Sequence, residues 1–304
     1  MRARHPDVAA SVDRDGVTLG YEVFGAGETA VLLLPTWTII HSRFWKMQVP
    51  YLARYYQVIT YDGPGNGRTD RVTDPHRYSA DSYAADAAAV LDACGVSRVV
   101  VVGVSLGAQY GVRLATLHPD RIAGLVMVGA ALPLTPPPPE RAGIADTFLE
   151  PYPENPRDWE RYNLAYWHDH YEDFAAFFFR QVFSEPHSTK PQEDAIGWAM
   201  ETTPDVLGAE ANRPRPASEG TIGSIASPVD AATIWCAMLE KLACPVLLVH
   251  APQDRIQPYA ASVQAARMTG GTLVTMDGSG HMPNLRDPVR FNLILRRFIE
   301  VVSG

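Results

Sequence analysis

The chain has 304 residues, 46% hydrophobic and 20% charged, with a formal net charge of −8. That length suits one large α/β domain with an insertion, or two modest domains, and the composition is that of a globular protein. The acidic balance offers no basic footprint, which argues against nucleic acid and anionic membrane as partners, and no run nears the roughly 18 apolar residues that span a bilayer.

The opening Met1-Arg2-Ala3-Arg4-His5-Pro6-Asp7 is polar and leads into no apolar stretch of signal-peptide length. Val17 to Phe24 is expected as an early strand, stopped by Gly25-Ala26-Gly27. Ala30 to Pro35 is a short, wholly apolar run of the kind found in buried parallel strands. Phe44 to Tyr55 has helical spacing, and Gln57 to Tyr61 is another buried strand. Ala80 to Ala93 is a helix with an alanine-rich face, closed by Gly95. A strand ending at Val102 follows, then a helix from Leu106 to about Leu117 and a strand from Ile122 to Val128. Strands separated by helices imply right-handed crossovers and a parallel sheet covered on both faces.

The alternation breaks at Pro133. Pro136 to Pro139 cannot join a helix or a sheet and should form a stiff extended segment. From Gly143 to about Leu207 the chain reads as helical and aromatic. Residues 148–198 hold 13 of the 29 aromatic residues, more than one buried helix face needs, so some are expected to line an apolar pocket. A proline- and glycine-rich loop runs from Asn212 to Pro228. Alternation then resumes with a helix at about Asp230 to Leu242 and a strand from Pro245 to His250. A helix from Ala260 to Met268, a strand from Thr272 to Met276 and a last amphipathic helix from Val289 to Val301 complete the chain. The expected plan is a sheet domain formed by residues 1–132 and 229–304, interrupted by a helical, aromatic-rich cap over residues 133–228.

Gly103-Val104-Ser105-Leu106-Gly107 is the most informative stretch. A strand that ends in G-x-S-x-G and turns at once into a helix is the nucleophile elbow, which lifts a serine hydroxyl clear of the sheet. The flanking glycines answer a close passage of backbone, and the helix N-terminus presents free N–H groups to a forming oxyanion. A serine needs a base, and a histidine base needs a carboxylate to fix its tautomer. In a parallel sheet the loops after the strands gather on one edge. Asp254 lies four residues past His250, and His281 lies five past Met276, so both fall on that edge. Asp277 shares it but suits a turn before Gly278. His250 reads as a packed strand-end histidine, with a polar role in the site as the alternative. His168-Asp169-His170 reads as a solvated helix surface, since no further ligands stand at metal spacing. Cys94, Cys236 and Cys244 are widely spaced among apolar residues and fit core thiols in a reducing compartment. A cytoplasmic location is expected.

These residues resemble the α/β-hydrolase family, with a cap inserted after the sixth strand. The resemblance rests on the elbow around Ser105, on Tyr61 to Thr69 as a D-x-x-G-x-G-x-S-like turn, on Gln253-Asp254, and on Gly280-His281-Met282-Pro283 with Asp287-Pro288 beyond. It implies Ser105, Asp254 and His281 as a catalytic triad, and the N–H groups of Trp37 and Leu106 as the oxyanion hole. Pro35-Thr36-Trp37 departs from the His-Gly of many relatives, and Thr36 in place of glycine disfavours a positive φ there. The expected activity is hydrolysis of carboxylic esters of apolar, fairly bulky substrates through an acyl-enzyme, with no metal or organic cofactor. The same residues would also serve lactones, amides, or carbon–carbon bonds beside a carbonyl. A receptor-like small-molecule binder of the same fold is the rival from another class.

Overall fold

The computed structural model describes residues 4–214 and 228–304. Eight strands form one sheet in the order β1-β2-β4-β3-β5-β6-β7-β8, where β1 is Val8–Arg14, β2 Val17–Phe24, β3 Ala30–Leu33, β4 Gln57–Tyr61, β5 Val99–Val104, β6 Ile122–Val128, β7 Val246–His250 and β8 Thr272–Thr275. Strands β3 to β8 pair in parallel, whereas β1–β2 and β2–β4 are antiparallel. The sheet is thus mostly parallel, as the alternation implies. The first strand, β1, is an addition that the sequence reading did not include. Its side chains are largely exposed, so it carries little of the hydrophobic pattern by which a strand announces itself.

Short helices α1 (Val49–Leu52) and α9 (Pro283–Arg286) and longer helices α2 (Ala80–Ala93), α3 (Leu106–Leu117), α7 (Pro228–Glu240), α8 (Tyr259–Thr269) and α10 (Pro288–Ser303) surround the sheet. Between β6 and β7 stand α4 (Leu164–Val182), α5 (Thr189–Ala199) and α6 (Pro204–Ala211). The unbroken valines of β5 follow from burial on both faces. Val100, Val102 and Val104 pack with Phe291, Leu295 and Ile299 of α10, while Val99 and Val101 pack with Tyr83 of α2 and Val112 of α3. The aromatics of α4 join the first of these two cores.

The Phe44–Tyr55 stretch is not one helix. It is a 3₁₀ turn at Ser42–Trp45 followed by the four-residue α1, with Pro50 in its first turn. Polar anchors bend it: Trp45 Nε1 donates to Leu34 O (2.9 Å) and the buried Gln48 Nε2 to Asn284 O (2.8 Å). Most of the loop expected between Asn212 and Pro228 lies outside the described residues; Pro228 itself opens α7. Because β3 and β5 to β8 run parallel, the loops that follow them converge on one edge of the sheet. Among the described residues no helix is long and apolar enough to cross a membrane.

Candidate active site

Ser105 sits between β5 and α3 with φ 55° and ψ −116°, the strained backbone expected of an elbow. The strain is held by the neighbouring strand. Ser105 N–H donates to Val128 O (2.9 Å), and Ser105 O accepts from Ala108 N (3.1 Å) and Ala131 N (3.1 Å). A Cβ on Gly103 would run into the carbonyl of Gly107, and one on Gly107 would lie 2.5 Å from Pro35 O. Both flanking glycines are therefore required by contact. The serine opens onto a cavity of about 400 Å³ whose wall also includes Thr36, Trp37, Leu106 and His281.

Asp254 and His281 meet behind that wall. Asp254 Oδ2 lies 2.7 Å from His281 Nδ1 and 2.9 Å from His250 Nε2, and its Oδ1 accepts from Ile256 N (2.7 Å) and Gln257 N (2.9 Å). Burial alone would raise this carboxyl, but the His281 charge, the hydrogen bonds from His250 and His281, and the His250 charge hold it well below the usual carboxylate range. An ionised Asp254 can only accept, so both rings must present N–H groups to it. That leaves His281 Nε2 as the nitrogen free to exchange a proton. The His281 ring packs over Gly129 (φ 50°), where a Cβ would come 3.2 Å from Nδ1. Ser105 Oγ and the His281 ring share the cavity wall, and the serine hydroxyl makes no hydrogen bond among the described residues.

His250, read from sequence as a packed strand-end residue, belongs to this cluster. It is fully buried, and its Nδ1 is 2.7 Å from Ser262 Oγ. Its position at the end of β7, four residues before Asp254, was the available signal. Asp277 takes no part in the cluster and precedes Gly278, whose φ is 75°. His168, Asp169 and His170 stand exposed on α4, with Asp169 accepting from Tyr152 OH (2.8 Å).

The N–H groups of Trp37 and Leu106 donate to no backbone acceptor among the described residues. Thr36 does not take a positive φ, and its buried Oγ1 has no hydrogen-bond partner among the described residues. The loop is fastened just beyond Trp37: Thr38 N donates to Glu210 Oε2 (2.9 Å), Thr38 Oγ1 to Pro64 O (3.0 Å), and Asn66 Nδ2 to Thr38 O (2.8 Å). Glu210 comes from α6 and was not singled out by sequence. In the D-x-x-G segment, Asp62 accepts from Ser42 N and Arg68 N (both 2.9 Å), so it shapes the loop. From the aromatic stretch, Tyr162, Phe178 and Phe179 reach the cavity, while Phe177 packs on Trp159 at 5.3 Å.

A sequence model of the alpha/beta hydrolase fold matches residues 29–288. A protein of Caulobacter segnis named as a carbamate hydrolase, RutD, is 28% identical over 94% of this chain and 97% of its own length. Among solved structures, an esterase from Exiguobacterium antarcticum superposes with a TM-score of 0.76 at 18% identity, over 96% of this chain and all of the other. An enol-lactonase from Burkholderia xenovorans gives 0.73 at 17%, over 95% and 99%. At such identities the structural likeness speaks for the fold alone. The match across 29–288, laid over a sheet whose parallel strands bring Ser105, Asp254 and His281 to one edge, makes this chain a member of the alpha/beta hydrolase fold family.

Proposed function

We propose that this protein is a serine hydrolase that cleaves carboxylic esters through an acyl-enzyme. Ser105 Oγ attacks the carbonyl carbon while His281 Nε2 takes its proton, and the tetrahedral oxyanion is held by the N–H groups of Leu106 and Trp37. His281 then returns the proton to the departing alkoxide, which leaves as an alcohol. Water, deprotonated by His281, releases the acid and restores Ser105. Asp254 orients the imidazole and stabilises its charged form. The observation that carries this reading is the 2.7 Å contact between Asp254 Oδ2 and His281 Nδ1, which turns Nε2 into the working nitrogen of a ring that fronts the same cavity as Ser105. Hydroxyls that pair with their base only when substrate is present are common in unliganded sites.

In this reading residues 133–228 act as a cap, and its Tyr162, Phe178 and Phe179, with Trp37, favour bulky apolar portions of the substrate. The same steps cleave lactones and carbamates, the bonds in the names of two of the relatives, so both belong in the substrate panel. A fluorophosphonate should label Ser105, and multiple turnovers of short 4-nitrophenyl esters should disappear in Ser105→Ala. Label that persists in Ser105→Ala would overturn the assignment. A single turnover followed by arrest would instead point to a receptor-like binder.

A further inference from the structure

Arg141 places a cation in the wall of the cavity. It follows the four prolines that lead out of β6, and its side chain lines the same wall as Ser105 and His281. Among the described residues, its guanidinium makes a single hydrogen bond, from Nη1 to Ile256 O, and its Nε is buried without a partner. The ring of Trp159 lies 5.0 Å beneath it. Ile256 N donates to Asp254 Oδ1, so the cation is anchored on the loop that carries the carboxylate proposed to orient His281.

We propose that the substrate carries a carboxylate, which Arg141 binds inside the cavity next to the scissile ester. The inference rests on reading this cavity as the ester site and names the class of ester. A guanidinium stays charged at any ordinary pH, and a charge withdrawn from water is costly unless paired. Here one carbonyl and one aromatic face are its direct contacts, the Asp254 carboxylate acts on it only from a distance, and no carboxylate stands in ion-pair contact with it among the described residues. Burial lowers its proton affinity, against the opposing pull of Tyr162 and Asp254. Arg213, the other cation lining the cavity among the described residues, is engaged with the Glu210 backbone carbonyl at 2.8 Å. The chain's net charge of −8 would repel an anion at long range, so recognition has to come from a local group such as this one. A planar guanidinium with open donors matches a carboxylate in geometry as well as in sign.

The test compares each mono-4-nitrophenyl ester of succinic, glutaric and adipic acid with its neutral methyl diester counterpart. The wild-type enzyme should favour at least one anionic member by about tenfold in kcat/KM. Arg141→Gln should remove most of that preference, bringing the ratio of anionic to neutral ester down to about one, and Arg141→Lys should keep part of it. A measurement on the wild type alone guards against a misfolded variant: the free dicarboxylates should inhibit hydrolysis of the neutral ester competitively, and their diamides should not. Neutral esters turned over with no anionic preference and no inhibition by dicarboxylates would sink the carboxylate site while leaving the serine hydrolase standing. If neither series is hydrolysed in a Ser105-dependent way, the ester reading itself falls. Calorimetric titration with glutarate then decides the anion site separately: binding lost in Arg141→Gln sustains it, and no binding to the wild type overturns it.

Discussion

Glu210 is a fully buried carboxyl that holds the loop after β3 from α6, and removing its charge gives a measurement whose sign and size follow from its surroundings. Burial pushes this carboxyl up from about 4.5 to about 7, against the opposing charge of Arg213 and the hydrogen bonds from Thr38 N and Tyr110 OH. Between those two values the folded chain keeps a proton that the unfolded chain has lost, so stability falls as pH rises. Tenfold in proton affinity is about 1.4 kcal/mol, so the contribution is about 3 kcal/mol, complete below about pH 4.5 and gone above about pH 7. In Glu210→Gln the amide oxygen can still accept from Thr38 N, but nothing at the position titrates. Urea unfolding of both proteins from pH 4.5 to 8 should therefore show the wild type losing about 3 kcal/mol relative to the variant as pH rises. Asp86, which burial raises to about 6 despite Arg14 and Arg77, and Asp254 are present in both proteins and cancel in the difference. A difference flat to within about 0.5 kcal/mol would refute the raised carboxyl. A difference of the opposite sign would mean that Arg213 outweighs burial.

Two further outcomes are expected. His250→Phe removes one of the two ring donors to Asp254 Oδ2 and should lower kcat about tenfold with little change in KM, whereas His250→Gln, which retains an amide donor, should recover much of the loss; parallel changes in kcat and KM would make His250 a packing residue only. Gly103→Ala drives a methyl into the Gly107 carbonyl and should lower stability by about 1–3 kcal/mol or more in thermal melts, together with slower fluorophosphonate labelling of Ser105; a melt unchanged from wild type would show that the elbow can give way.

The sheet edge was legible because its signals are local. Four successive valines bounded by glycine mark β5, and Asp254 and His281 follow their strands by the few residues that a loop on that edge allows. What stayed hidden depends on contacts between distant segments. Glu210 and Thr38 are 172 positions apart in the chain, and Arg141 and Ile256 are 115 apart, so nothing in either neighbourhood announces the pairing. His250 looked like an ordinary strand-end histidine because its acceptor is a side-chain oxygen whose aim is set by the Ile256 and Gln257 amides. The Phe44–Tyr55 stretch misled for the converse reason: its apolar spacing is helical, but Trp45 and Gln48 are tied elsewhere by polar bonds that periodicity does not register.

One contact bears on how such proteins can be rebuilt. The backbone N–H of His281 donates to Val182 O at the end of α4 (3.0 Å), and a Cβ on Gly280 would lie 2.8 Å from that same oxygen. The final turn of α4, between β6 and β7, thus serves as a mounting point for the imidazole. Under the proposed chemistry, a chimera that exchanges α4 to α6 for the matching helices of a relative should graft new selectivity without disturbing proton transfer only when the transplanted helix ends at the same height above the sheet.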